Sequence, residues 1–201
     1  MAILLDKNTT VIIQGITGRT GQVAARLMRE YGTRVVAGVT PGKGGQEVEG
    51  LPVFNSVYEA KKKFPEINCS AVYVPPFATK DAVIEAVSNG IKLINVITEG
   101  VAISDTTQML RYAKLHGARV VGPDSIGIIC PQLCRIGVLG GIKEDADKIY
   151  KKGSVGIISR SGGMTNETAW VVRQAGLGQS TVVGIGGDYI LGTDYEDLLL
   201  M

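Results

Sequence analysis

Histidine is almost missing from this chain: of 201 residues only His116 is one, at the end of a predicted helix and beside Gly117. The three cysteines, Cys69, Cys130 and Cys134, are odd in number and stand at no metal-ligand spacing with it. No metal site is expected, and the cysteines read as small core residues of a protein kept in a reducing compartment. Charge of one sign is also scarce, the formal net charge being +2. No lysine or arginine run is long enough for a polyelectrolyte arm, and Lys61, Lys62 and Lys63 read as a solvated helix face. Neither nucleic acid nor a membrane surface is therefore expected as a partner. No apolar run reaches the roughly 18 residues of a membrane span. Residues 1–6 are too short, and too soon interrupted by charge, for a signal peptide. A cytoplasmic protein is expected, or a mitochondrial-matrix one only if a transit peptide has been removed.

Glycine is plentiful, with 27 residues, and 45% of the chain is hydrophobic, enough for a substantial core with many tight turns. The chain is organised around Val11-Ile12-Ile13 and the glycines Gly15, Gly18 and Gly21 that follow. A buried strand, a glycine turn and a helix in that order let a ligand approach the backbone. The unpaired N–H groups and positive dipole end of the helix favour a phosphate there. The pattern is G-x-x-G-x-x-G, not the dinucleotide G-x-G-x-x-G. A tight turn that binds nothing is the other reading of it.

Residues 33–39 predict the second strand. A dinucleotide-binding strand in that place usually ends in an acid that accepts from ribose hydroxyls. Here it ends in Thr40, and the only charge in the turn 40–45 is Lys43. A lysine suits a ligand with additional phosphate; an incidental lysine on a flexible loop is the alternative. Further strands are predicted at 53–54, 70–74, 92–96 and 119–121, and helices at 57–63 (capped by Ser56), 79–88 and 105–116. This alternation argues a doubly wound parallel sheet. Ligands bind beyond the carboxyl ends of such strands, which places residues 15–20, 40–43, 73–76 and 97–99 around one crevice.

Beyond Asp124 the chain reads as loop, with a charged linker helix over 144–152. A strand at 153–158 then leads into Ser159-Arg160-Ser161-Gly162-Gly163 and a helix expected over 168–175. Ser161 or Thr165 can cap it, as a second anion-binding helix start or as a plain capped turn. A strand at 181–185 and a short helix opened by Asp194 follow. Two strands are too few for an ordinary sheet. The expectation is that another chain covers the open edge, or that these residues are part of a longer protein.

Several stretches resemble the α subunit of succinyl-CoA synthetase: Gln14-Gly15-Ile16-Thr17-Gly18, Thr40-Pro41-Gly42-Lys43-Gly44-Gly45, Leu51-Pro52-Val53-Phe54, Ile97-Thr98-Glu99-Gly100 and Ser159-Arg160-Ser161-Gly162. The resemblance extends over essentially the whole chain. It implies an α/β protein with a Rossmann-like, doubly wound coenzyme A-binding domain over 1–123. A linker over 124–152 and an incomplete flavodoxin-like α/β domain over 153–201 would follow. Coenzyme A would be held by Thr17, Gly18, Arg19 and Thr20, by Lys43, and by Ile97, Thr98 and Glu99; Tyr73, Val74 and Pro75 join this set from the strand-end reading above. Ser161, Gly162, Gly163 and Asn166 would serve a phosphoryl group or the acid substrate. The resemblance further implies a nucleotide-binding β subunit, in a heterodimer or heterotetramer, that holds ATP or GTP with Mg, and a small carboxylic acid as substrate. The phosphorylated histidine of the family would lie beyond Met201, since His116 matches no catalytic position.

Two motifs depart from the family's usual form. Gly-Pro-Asn-Cys-Pro-Gly becomes Gly122-Pro123-Asp124-Ser125-Ile126-Gly127, an acid at the implied thiol end of the pocket. Ser-Gly-Thr-Leu-Thr-Tyr-Glu becomes Ser161-Gly162-Gly163-Met164-Thr165-Asn166-Glu167, a form that looks like ATP-citrate lyase and citryl-CoA synthetase. The function expected is an acid–CoA ligase subunit, the succinate-type reaction leading, this chain alone being inactive. The alternatives are a coenzyme A-binding module without chemistry, a citryl-CoA-forming relative, and an NAD(P)-binding reductase.

Overall fold

The computed structural model describes residues 2–201; Met1, where the first expected domain begins, lies outside the described residues. In chain order the first half runs β1 (Thr10–Gln14), α1 (Arg19–Glu30), β2 (Arg34–Val39), β3 (Glu47–Val48), β4 (Leu51–Phe54), α2 (Val57–Lys63), β5 (Cys69–Val72), α3 (Pro76–Ser88), β6 (Leu93–Val96), α4 (Ile103–Leu115) and β7 (Arg119–Val121). The second half runs β8 (Gly127–Cys130), β9 (Cys134–Gly137), α5 (Lys143–Ile149), β10 (Lys152–Ser159), α6 (Gly162–Gln174), β11 (Gln179–Gly184) and α7 (Tyr195–Leu199).

The first sheet has the order β3-β4-β2-β1-β5-β6-β7. The two-residue β3 returns antiparallel on β4, and every other pairing is parallel. With β3 set aside, the parallel strands counted along the chain stand 3-2-1-4-5-6, the doubly wound order whose winding reverses between β1 and β5. Because side chains alternate across a strand, β1 feeds both faces at once. Ile12 packs with Ala82, Val83, Ile94 and Met109 under α2, α3 and α4. Val11 and Ile13 pack on the opposite face with Ala24 and Met28 of α1 and with Ile128, Ile136 and Val183 of the second sheet.

That second sheet, β10-β11-β8-β9, corrects two expectations. Residues 127–137, read as loop within the linker 124–152, form an antiparallel hairpin with Cys130 opposite Cys134. β8 pairs antiparallel with β11, so the strand thought to border an open edge lies between two neighbours. The sheet is mixed, parallel only where β10 meets β11. The hairpin leaves little local trace in the sequence, because its strands are four residues each, carry no period-2 pattern and enclose Pro131. Helix ends also move. α3 starts at Pro76, which the first helical turn accepts because its missing N–H has no partner there to lose. α6 starts at Gly162, not at 168, because Ser161 supplies the cap.

The hairpin is locked to α1 by Arg135, a fully buried side chain of β9. Its guanidinium donates to the main-chain carbonyls of Leu27 (2.6 Å), Leu139 (2.6 Å) and Gly141 (2.8 Å) and lies 5.0 Å from the Tyr31 ring centre. Burial lowers its pKa. Leu27 belongs to the last turn of α1, where the helix dipole is negative and stabilises a cation. Burial raises the pKa of all three cysteine thiols, that of Cys134 to about 12, which keeps them protonated as core residues.

Candidate functional site

The turn between β1 and α1 stands at the switch point of the first sheet. The Gly15 N–H donates to the Val39 carbonyl (2.8 Å), and the Gly18 N–H donates to the Gly15 carbonyl (3.1 Å). Gly15 has φ +86°, and a Cβ there would meet the Tyr73 carbonyl carbon at 2.9 Å. A Cβ on Gly21 would fall 2.4 Å from the Gly15 carbonyl oxygen. Two of the three glycines are thus required by close backbone approach, not merely tolerated. Gly18 caps α1 without a side-chain hydrogen bond, and the first turn carries no acid. The amino end of α1, with Thr17 half-buried and Gly18, Arg19 and Thr20 exposed, stays open to an anion.

The expected crevice residues gather along the same sheet edge. The Thr40 and Thr17 hydroxyls lie 3.2 Å apart, which fixes the loop after β2 against the glycine turn. Lys43 is exposed on that loop, its N–H closing a turn onto the Thr40 carbonyl at 3.0 Å. The Thr98 hydroxyl donates to the Val74 carbonyl at 2.7 Å, so the chain after β6 leans on the chain after β5. Val74, Ile97 and Thr98 are half-buried, and Pro75 and Glu99 exposed. Tyr73 departs from expectation. Its main chain lines the turn, but its hydroxyl is buried without a partner, and burial drives its pKa far up. The residue packs into the core shared with the second sheet, so the phenol does not face the crevice.

A second set of contacts, unread in the sequence, joins this crevice to the start of α6. The amide of Asn95, buried inside β6, donates to the Ser125 hydroxyl (2.8 Å), which donates to the Gly184 carbonyl at the end of β11 (2.5 Å). An asparagine inside the apolar run Leu93-Ile94-Asn95-Val96 was the available signal, since a buried amide requires partners. The Asp124 N–H donates to the Thr98 carbonyl at 2.9 Å, and the Asp124 carboxylate lies against the main chain of Gly187. The Arg160 guanidinium donates to the carbonyls of Gly186 (3.2 Å), Gly187 (3.0 Å) and Asp188 (2.5 Å). Burial first, then the charges of Asp188 and Glu99, raise the Asp124 pKa.

Next to Arg160, the Ser161 hydroxyl accepts from the Met164 N–H at 3.4 Å and caps α6. Gly162 and Gly163 form the first turn, and a Cβ on Gly163 would meet nothing within 4 Å. Asn166, expected to serve a phosphoryl group or the acid, stands in the second turn of the same helix. Its side-chain oxygen accepts from the Tyr150 hydroxyl (2.6 Å) and the Gly140 N–H (3.1 Å), and its amide donates to the Gly162 carbonyl (3.4 Å). These contacts hold the helix start in place. His116 stacks on Tyr112 at 4.1 Å, at the end of α4 and on the opposite edge of the sheet.

Fold and site together define a Rossmann-type protein built for a phosphate-bearing ligand, with a second helix start tied to the far end of the same crevice. Residues 6–100 match the family described as CoA binding domain. The chain is 48% identical to the succinate–CoA ligase [ADP-forming] subunit alpha of Aquifex aeolicus, over 100% of this chain and 64% of that protein. It is also 48% identical to the subunit alpha 2 of Archaeoglobus fulgidus, over 99% of this chain and 67% of that protein. The chain belongs to the succinate–CoA ligase α-subunit family, and spans about two thirds of the length of these relatives. Among solved structures, the ATP citrate lyase from Methanothrix soehngenii, in complex with citrate and coenzyme A, superimposes with a TM-score of 0.87 at 25% identity, over 98% of this chain and 34% of that one.

Proposed function

We propose that this chain binds coenzyme A and acts as the α-type part of a nucleotide-dependent acid–CoA ligase. The observation that carries the reading is the open amino end of α1 at the switch point, with Thr40 and Lys43 where a dinucleotide-binding fold would place an acid. Coenzyme A carries three phosphates. The pyrophosphate would lie on the N–H groups of residues 18–20, with Lys43 reaching a further phosphate and the chain at 73–75 and 97–99 flanking the arm. Ser161, Gly162 and Gly163 would receive a phosphoryl group at the start of α6. The acid is a small carboxylate of the succinate type. A citrate-sized acid is the second reading, supported by the likeness to ATP citrate lyase and by Gly163-Met164 at the α6 start. The partner is a nucleotide-binding β subunit holding ATP or GTP with Mg. The phosphoryl-carrying histidine is not among these 201 residues, His116 lying on the wrong edge of the sheet.

Calorimetry on the chain tests the binding half of this reading. NADH and NADPH should bind at least tenfold more weakly than coenzyme A, a gap of about 1.4 kcal/mol or more. Lys43→Ala should weaken coenzyme A binding by about 1.5–3 kcal/mol, the usual worth of a charge-assisted contact. Tight NADH binding, or equal coenzyme A affinity with and without Lys43, overturns the assignment.

A further inference from the structure

We infer that Asp124 is the base that takes the thiol proton of coenzyme A, and so a catalytic residue of the proposed ligase. The inference rests on the coenzyme A reading above and follows from where Asp124 stands. A ligand whose pyrophosphate sits on the β1–α1 turn and whose arm runs along the carboxyl edge passes β5 and β6 and ends over β7. The strand order makes that three strand spacings, or about 15 Å, a distance an extended pantetheine arm spans. Asp124 stands just past β7, after Gly122 and Pro123, its N–H on the Thr98 carbonyl. Its backbone is in the left-handed region (φ 58°), and its Oδ2 lies 2.3 Å from where a Cβ on Gly187 would be. The carboxylate thus rests on the segment 186–188, which Arg160 holds by its carbonyls immediately before Ser161 caps α6. One side chain therefore borders both the end of the thiol arm and the site proposed for a phosphoryl group.

The charged groups acting on Asp124 are Asp188 from the chain after β11 and Glu99 from the chain after β6, while Arg160, from the chain after β10, holds the segment 186–188 on which the carboxylate rests. Two carboxylates and partial burial favour proton capture by Asp124. The guanidinium is committed to main-chain carbonyls and does not pair with the acid. In the step, the thiol S–H bond breaks and its proton passes to the Asp124 carboxylate. The sulfur then forms a bond to the carbonyl carbon of an acyl phosphate held at the α6 start. The carbon–oxygen bond to phosphate breaks with its electron pair on the phosphate oxygen. The proton leaves Asp124 to the departing phosphate or to water, which restores the base.

Coenzyme A and desulfo-coenzyme A, titrated calorimetrically into the full chain and into Asp124→Asn from pH 5 to 8, test this. Asparagine tolerates the left-handed backbone and nearly matches the aspartate in shape, so the variant should fold. The wild-type chain should favour coenzyme A over the desulfo compound about fivefold where Asp124 is ionised, a weak thiol donor meeting a charged acceptor. That preference should fade as the pH falls, and be absent in Asp124→Asn at every pH. Asp188→Asn should move the fading to lower pH by removing a neighbouring negative charge, and serves as the second variant should Asp124→Asn not fold. Equal preference in wild type and Asp124→Asn, or a preference independent of pH, overturns the inference while leaving coenzyme A binding intact. Failure of both compounds to bind the wild-type chain overturns the coenzyme A reading itself.

Discussion

At the scale of single residues, the molecule separates side chains that hold the site from side chains that face it. Asn166 and Tyr73 sit in stretches that point to the ligand, yet the carboxamide of one and the ring of the other turn inward. Asp124 does the reverse, a half-buried acid placed among acids at the crevice edge. Because its pKa is raised in the folded chain, the folded state binds its proton more tightly than the unfolded state. That contribution to stability is complete below the unfolded carboxylate pKa and is lost as pH rises through the higher folded value. Urea unfolding of wild type and Asp124→Asn over the carboxylate range should therefore show wild type losing ground to the variant as pH increases. Parallel stability curves would exclude a raised pKa at this position.

At the scale of elements, the start of α1 depends on two backbone approaches that only glycine permits. Gly21→Ala would drive a methyl group to 2.4 Å from the Gly15 carbonyl oxygen, and backbone cannot yield as a flexible side chain does. Overpacking of this kind costs about 1–3 kcal/mol, and the displaced first turn would no longer present its N–H groups. Coenzyme A affinity should fall at least tenfold in Gly21→Ala. Gly163→Ala, at the first turn of α6 in open space, should leave that affinity unchanged. Equal effects of the two alanines on calorimetric affinity would remove the geometric account of the turn. The glycine spacing was readable from the residues alone. Which glycine is sterically obligatory was not, because the clash involves the strand end at Tyr73 and the turn's own carbonyl, brought together only by the fold.

At the scale of the whole molecule, the second sheet takes a position that helices occupy in a doubly wound domain. α1 covers part of one face of the first sheet, and β8, β9 and β11 complete the same core. With β8 on one side and β10 on the other, β11 is interior, and Val182 and Val183 are buried. Hydrogen exchange followed by mass spectrometry should show β11 protected to a degree comparable with β1. β10, an edge strand exposed along much of its length, should exchange faster. Rapid exchange throughout β11 would show that its two neighbours do not hold it as an interior strand.

The sequence alone determined the strand–glycine–helix unit, the doubly wound alternation through β7, the crevice edge and the two capped or open helix starts. Each is written in a local period or a local backbone requirement: buried parallel strands are apolar at every position, and tight turns demand glycine. Only the tertiary structure decided what residues 127–137 become. Gly127-Ile128-Ile129-Cys130 is a short apolar run whose strand identity comes from pairing with β11, some fifty residues later. It also decided that Arg135 is buried and that Asn166 faces inward. Their partners, the Leu27 carbonyl and the Tyr150 hydroxyl, belong to other elements, and no spacing along the chain records that approach.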